Sequence, residues 1–338
     1  MADFVYPTSA ELETIAQDYM PRLMEERPIF NILPVRAVDA HLLMWEQMDN
    51  YQGLQQVRGL DGDATRVRKT GIKRYLMQPG VYGEFDNIDE QELTARRAMG
   101  SFGGPIDISD LVLMAQSKLL QRRLDRIESI GWTLLAEGTF SVPDGAGKVL
   151  HTDTFALQSF TAITPWSTAA TATPLADLRA VKLMRRGHSV DLGAGAQAWM
   201  NQTTFNNLIM NDNPNDLFGR RTAGLATINN LKDVNTILSG DALPELAVYD
   251  AGYFDDTGAF QLYIPNNKVV VVGRRPAGQV VGEYRMTRNA NNPNLAPGPY
   301  MKVIDTGEFK VPRSLQVHDG HNGGPVIYYP GAIVVMNV

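Results

Sequence analysis

Two Asp-Thr-Gly triplets, at Asp256-Thr-Gly258 and Asp305-Thr-Gly307, are the first residues that could do chemistry. Two such carboxylates share a proton in an aspartic hydrolase. That arrangement needs the triplets on separate lobes, much farther apart in sequence than these are. Asp255-Asp-Thr-Gly258 also lies between two strand-like runs, where Asp and Gly are ordinary turn residues. Gly187-His-Ser-Val-Asp191 imitates a nucleophile elbow, but Asp191 stands where the second glycine belongs, and a helix precedes the motif where the elbow needs a strand. Gly193-Ala-Gly-Ala-Gln-Ala198 has glycines like those of a dinucleotide fingerprint, again with helix and strand in the wrong order. Gly145-Ala-Gly-Lys148 lacks the spacing and the hydroxyl residue of a phosphate loop. His318-Asp-Gly-His321 offers two imidazoles and a carboxylate to a metal, although in so glycine-rich a stretch it reads as a solvated loop. No cysteine exists, which removes thiol chemistry, disulfides and thiolate zinc sites. No catalytic constellation, cofactor site or metal site is expected.

The elements that must position these residues point away from a pocket. Residues 105–138 form an unbroken helix-forming run, with Asp107 as the expected N-cap, Asp110 in the first turn and Gly138 at the end. Ile108, Val112, Ala115, Leu119, Ile127, Ile130 and Leu134 recur at helical spacing. Arg122, Arg123 and Arg126 interrupt that face and are candidate contacts for phosphate. A helix over about 107–137 would span roughly 45 Å and act as a girder. Residues 8–26 read as a short amphipathic helix carrying Glu11, Glu13, Asp18, Glu25 and Glu26 against Arg22 alone, cut off by Pro28 and Pro34.

Residues 50–83 differ in composition. Arg58, Arg66, Arg68, Lys69, Lys73 and Arg74 face only Asp61 and Asp63, a local +4 in a chain of −6, so the remainder carries −10. The stretches Thr65-Arg-Val-Arg-Lys-Thr70 and Gly71-Ile-Lys-Arg-Tyr-Leu-Met77 read as two arms of a projecting hairpin. The acidic N-terminal helix and this basic loop are opposite in charge.

Beyond the long helix the chain alternates short strands and helices: strands over 139–142 and 148–155, and a helix opened by Pro174 and closed at Gly187. Apolar segments follow at 196–200, 246–249, 260–264 and 268–272, then an exposed loop over 289–299 and a strand, turn and strand at the end. Trp132, Trp166 and Trp199 read as core or interface aromatics. The class is α+β. An acidic pI near 5.4 argues against a general coating of nucleic acid. The N-terminus lacks a secretory pattern and no run is long enough for a membrane span, so the expectation is a soluble protein made inside the cell.

The order of these elements, together with Arg122-Arg-Leu-Asp-Arg-Ile-Glu-Ser-Ile-Gly-Trp-Thr-Leu-Leu-Ala-Glu-Gly-Thr-Phe140, Tyr263-Ile-Pro-Asn-Asn-Lys-Val-Val-Val-Val-Gly273 and Gly324-Pro-Val-Ile-Tyr-Tyr-Pro-Gly-Ala-Ile-Val-Val335, resembles the major capsid proteins of tailed phages. Within them it is most similar to the lambda-type major capsid protein E family, of Hong Kong 97-like fold. The resemblance implies an N-terminal arm over 1–40 and a peripheral domain over 41–165 carrying the spine helix, with the extended β-hairpin loop 50–83 inserted. It further implies an axial domain over 166–325 and a return strand to the peripheral domain over 326–338. On this resemblance the cations of the loop and the acids of the arm are inter-subunit residues, while Arg122, Arg123 and Arg126 are inner-face contacts.

The implied function is a non-enzymatic head protein forming hexamers and pentamers in an icosahedral shell, part of the virion and assembled in the host bacterial cytoplasm. The implied partners are itself, a portal, a scaffold and maturation protease, a small decoration or cement protein and packaged double-stranded DNA, with no membrane. Some relatives crosslink a loop lysine to an asparagine; Lys69, Lys73, Asn322 and Asn337 are in suitable regions, but nothing singles out a matched triad. The alternatives are an encapsulin-like compartment shell, a soluble nucleic-acid-binding protein using the basic hairpin, and an aspartic hydrolase.

Overall fold

The computed structural model describes residues 4–48, 54–67, 71–96, 106–143, 148–213, 216, 230–255, 257–275, 278–307 and 311–338. The chain divides into two compact units: residues 1–43, 77–131 and 283–326 form the first, and 44–76, 132–282 and 327–338 the second.

In the first unit the centre is the strand Leu315–Ile327. Gly80–Ile88 runs antiparallel to it, from Gly80 opposite Gly323 to Ile88 opposite Leu315, and Tyr300–Asp305 runs antiparallel on its other side. Gly282–Met286 extends the sheet, and Val35–Ala37 joins it in parallel. Ser109–Glu137 is the expected long helix, 29 residues, and Gly138 follows it at φ +70°, the left-handed ending a glycine permits. Asp107 lies one step outside the expected cap: it belongs to a two-residue strand, Ile106–Asp107, parallel to Phe4–Val5. Its carboxylate still accepts the Ser109 amide at 2.9 Å, satisfying one of the first free donors of the helix. Ile108, Val112, Ala115, Leu119 and Leu120 of the helix are buried against Met301, Leu315 and Val317 of the sheet.

The N-terminal helix, Ser9–Glu25, opens with a Thr8–Glu11 capping box. It buries Leu12 and Ala16 in the same core, and the buried Gln116 amide donates to the Leu12 carbonyl at 2.6 Å. The helix is thus docked on its own chain.

The second unit holds a five-stranded sheet in the order Glu245–Val248, Gln197–Met200, Lys268–Val272, Ile333–Asn337, Gln158–Thr161. Its two edge pairs are parallel and its two central pairs antiparallel. The apolar segments at 196–200, 246–249 and 268–272 each supply one of its strands. Val269, Val271, Val334 and Met336 pack with Leu175, Leu178, Phe205, Val234 and Leu238 from flanking helices. The helix Pro174–Leu183 starts at its proline as expected but ends before Gly187, which sits in the following turn at φ +85°. Trp132 and Trp166 are fully buried; Trp132 and Trp199 meet edge to face at 5.8 Å, and the Trp166 indole donates to Asp177 at 2.9 Å. Burial is the main cause that raises the Asp177 carboxyl above the usual range.

One expectation differs from this structure. The expected arm 71–77 forms as the strand Ile72–Met77, but it pairs with Leu43–Met48; residues 65–67 form no strand, and 68–70 fall outside the described residues. The final strand pairs with Lys268–Val272 in the second unit, and 283–326 groups with 77–131 in the first.

Candidate functional site

The hairpin strands carry two of the described cations of the loop, Lys73 and Arg74. Trp45 stacks on Tyr75 at 5.2 Å and on Phe155 at 5.8 Å, and Arg74 pairs with Glu46 across the strands at 2.7 Å. Lys73 is exposed beside it. In the described connection, 54–67, Arg58 donates to the Gly62 carbonyl at 2.9 Å, and Arg66 is exposed. Neither Arg58, Arg66 nor Lys73 meets a carboxylate among the described residues; Arg68 and Lys69 lie outside them.

The sequence reading passed over the apolar residues of this segment. Leu54, Val57, Leu60 and Val67 are between 86% and 101% exposed, and Ile72 and Leu76 also face solvent. The spacing of three over Leu54, Val57 and Leu60, in a stretch to residue 63 otherwise of Gly, Arg, Asp and Gln, was the available signal. An apolar patch of this kind has nothing to cover it within the described chain and marks a contact surface.

On the N-terminal helix the acids divide by use. Glu11 closes the capping box, and its hydrogen bonds from Thr8 hold its carboxyl below the usual range. Glu13 is half-buried, while Asp18, Glu25 and Glu26 are exposed with no ion pair among the described residues. Glu25 and Glu26 sit at the C-terminal end, where the helix dipole favours cations instead.

The long-helix arginines are differently placed. Arg122 makes a two-pronged contact with Glu84, at 2.5 and 2.9 Å, which is the first cause lowering that carboxyl. Arg123 is buried and meets Asp319 at 2.5 Å, both side chains 4% exposed. An ion pair alone would lower Asp319, but burial outweighs the attraction and pushes it up to about 6. Asp125 and Glu128, acids of the same helix, are taken by Arg27 at 2.7 and 3.0 Å. Arg122 and Arg126 are both exposed, and Arg126 forms no ion pair among the described residues.

Around the buried pair the sheet adds aromatic and imidazole groups. His321 is fully buried, within 3.0 Å of the Tyr284 hydroxyl through Nε2 and stacked on Tyr82 at 5.1 Å. Burial, then Arg123 and Arg126, drive its pKa down to about 3, so the ring is neutral. Burial pushes Tyr82 up to about 12. Glycines make the close packing possible: a Cβ on Gly320 would lie 2.5 Å from the Tyr82 carbonyl.

The remaining motifs resolve into structural roles. The Asp255 carboxylate accepts from the Thr257 and Ala259 amides, the Thr257 hydroxyl and the Gln261 side chain in a hairpin turn. Those bonds lower it to about 2. Asp256 lies outside the described residues, and Asp305 is paired with Arg313 at 2.5 Å. His318 and His321 belong to a 13-residue strand, not a loop, and three residues apart they point to opposite faces. His318 stacks on Phe85 and bonds Gln316. Asp191 accepts from the amides of Gly193 and Gly195, which makes the fingerprint-like stretch an acid-held turn. Of the phosphate-loop mimic, residues 145–147 lie outside the described residues. Asn322 donates to the Arg288 carbonyl at 2.9 Å, and Asn337 is exposed on the final strand. Among the described residues no three His, Asp or Glu converge as metal ligands, and no helix is long and apolar enough to cross a membrane.

Comparison with known proteins agrees on one answer. The model of the family described as phage major capsid protein E matches residues 14–318. A putative capsid protein of a prophage from E. coli CFT073 superposes with a TM-score of 0.54 at 13% identity, covering 92% of this chain and 93% of that one. A phage-related protein from Bordetella bronchiseptica RB50 gives 0.56 at 11% identity, covering 98% of each chain. At such identities the likeness is one of fold, and it bears out the α+β capsid class. No curated protein sequence matches.

Proposed function

Because the chain belongs to the phage major capsid protein E family and is therefore a structural subunit of the virion shell, not an enzyme, we propose how it assembles. The shell is an icosahedral head of a tailed phage, built of hexamers and pentamers of this chain. Residues 54–76 are the extended loop that reaches a neighbouring subunit. One observation carries this reading: Leu54, Val57, Leu60 and Val67 stand almost fully exposed beside Arg58, Arg66 and Lys73, which have no carboxylate of their own. Covering each apolar side chain contributes about 1.5–3 kcal/mol. The cations, with Arg68 and Lys69, face acids of a neighbour such as Asp18, Glu25 and Glu26, which fixes register.

The unit holding the long helix corresponds to the peripheral domain and the unit holding the five-stranded sheet to the axial domain. Portal, scaffold, maturation protease, decoration protein and enclosed double-stranded DNA complete the list of partners, with assembly in the host cytoplasm. An encapsulin-like compartment is the less favoured reading, since the family matched is that of phage capsids.

The test uses electron microscopy and sedimentation of two variants. Leu54→Ser with Val57→Ser and Leu60→Ser is expected to leave the melting temperature unchanged and abolish closed shells. Reversal of Arg66, Arg68 and Lys69 to Glu is expected to weaken assembly most at low salt. Normal shells from both variants, with unchanged salt dependence, would remove the loop from the interface.

A further inference from the structure

A second set of arginines lies in the unit of the five-stranded sheet. The turn after the helix Pro174–Leu183 brings Arg185, Arg186 and His188 to one side of a cleft of about 920 Å³. The turn after Lys268–Val272 brings Arg274 and Arg275 to the other. We propose that this cleft is a phosphate-binding site that seats consecutive phosphates of a nucleic-acid backbone.

Charge is the first argument. The four guanidinium groups share one acid, Asp191, which holds the Gly193 and Gly195 amides and meets Arg185 at 3.6 Å. Arg186 and Arg274 are exposed and meet no carboxylate among the described residues. The cleft therefore carries +3 in a chain of −6, a surplus the molecule does not answer locally. Guanidinium forks of this kind match phosphate or carboxylate oxygens in pairs.

Preorganisation is the second. Arg275 lies over the Tyr329 ring at 3.2 Å and donates to the Ser189 carbonyl at 3.3 Å and to Gln279 at 2.7 Å, so one cation of the set is fixed before any ligand arrives. Its Nε is buried without a partner among the described residues. Arg274 is tied through its backbone, which exchanges hydrogen bonds with that of Asp191 at 2.9 Å both ways. The two turns are thus locked to each other.

Ligand density is the third. A surplus of three charges in one cleft needs closely spaced anions. A second copy of this chain offers no run of three consecutive acids, and its free acids Asp18, Glu25 and Glu26 are assigned to the loop cations in the shell reading. A phosphodiester backbone has one charge per nucleotide at regular spacing. The motif Gly187-His-Ser-Val-Asp191, catalytic only in appearance, becomes one wall of the site. The inference deepens the shell reading by giving an enclosed polymer a binding site, and it rests on that reading only for its biological setting. Shell formation and anion binding are read separately.

The test is fluorescence anisotropy of a short labelled duplex with the unassembled full-length chain, titrated across salt, with inorganic phosphate and polyglutamate as competitors. Three to four phosphate contacts predict a slope of log affinity against log salt of about −3. Arg186→Ala with Arg274→Ala should flatten the slope by about 2 and lower affinity at least about tenfold, with the circular dichroism melt unchanged. Inorganic phosphate should displace the duplex weakly and lose that effect in the variant. Unaltered duplex binding by the variant overturns the proposal. So does polyglutamate binding as tightly as the duplex, which would assign the cleft to an acidic protein. Phosphate binding without duplex binding would leave a free-phosphate site and overturn the assignment to a nucleic-acid backbone.

Discussion

Arg122 and Arg123 stand side by side on the long helix, and each is closed by an acid from the neighbouring sheet: Glu84 for the first, Asp319 for the second. Arg185, Arg186, Arg274 and Arg275 form an equally dense group, yet only Asp191 stands among them, and it is already engaged by backbone amides. The difference teaches that clustering of arginine is no signal of ligand binding by itself. What decides is whether the fold delivers a carboxylate to each cation. For Arg122 and Arg123 it does, and the two arginines hold helix to sheet; in the cleft it does not, and the cations remain available.

The sharpest way to break this comparison is to strand the buried cation. Asp319→Leu leaves Arg123, which cannot shed its charge, without a partner in the core, and should cost about 3–5 kcal/mol in urea unfolding. Adding Arg123→Met should recover most of that loss, since an apolar pair of similar volume fills the site. A single variant as stable as the parent would mean that the pair does not join helix to sheet.

Acid probes the same cluster with signs that differ. His321 has its pKa lowered to about 3, so the stability it contributes is present above its ordinary value of 6.5 and is lost as pH falls toward 3. Asp319 is raised to about 6 from 3.8, so the fold gains as pH falls through that interval and loses as it rises. Between about 6 and 4 the two partly cancel; below that only the His321 loss continues. His321→Gln should flatten the acid side of a melting-temperature profile between 6.5 and 3. A profile parallel to the parent's would place the acid sensitivity elsewhere.

Arg122→Ala breaks a half-exposed pair and should cost less than about 1 kcal/mol, with the difference shrinking in high salt. Smallest is Arg186→Ala with Arg274→Ala, expected within about 0.5 kcal/mol of the parent in the same unfolding assay. A large loss there would show that the cleft arginines are structural after all.

The long helix was legible because periodicity, an acidic start and a terminal glycine all agree over Ser109–Glu137. Its start was misplaced because Asp107 pairs as a strand with Phe4–Val5, a contact across about a hundred residues that no local pattern records. The same non-locality hid one arm of the hairpin: Leu43–Met48 is chosen by the Trp45–Tyr75 stack and the Arg74–Glu46 pair, while residues 65–67, whose alternation resembles a strand, form none. Glycines misled at His318–His321, where Gly320 signals close approach to the Tyr82 carbonyl inside a sheet, not a loop. The exposed apolar residues at 54–67 were readable but were outweighed by the surrounding charge. The arginine cleft was not readable, because its two turns come from distant segments joined only when Lys268–Val272 pairs with Gln197–Met200.

The central claim, that this chain closes into a shell through its own exposed surfaces, is tested most directly by negative-stain electron microscopy with sedimentation on the full-length protein, alone and with the proposed scaffold partner co-expressed. Closed particles, or hexameric and pentameric rings, are the predicted result. A monodisperse monomer or dimer under both conditions would contradict it.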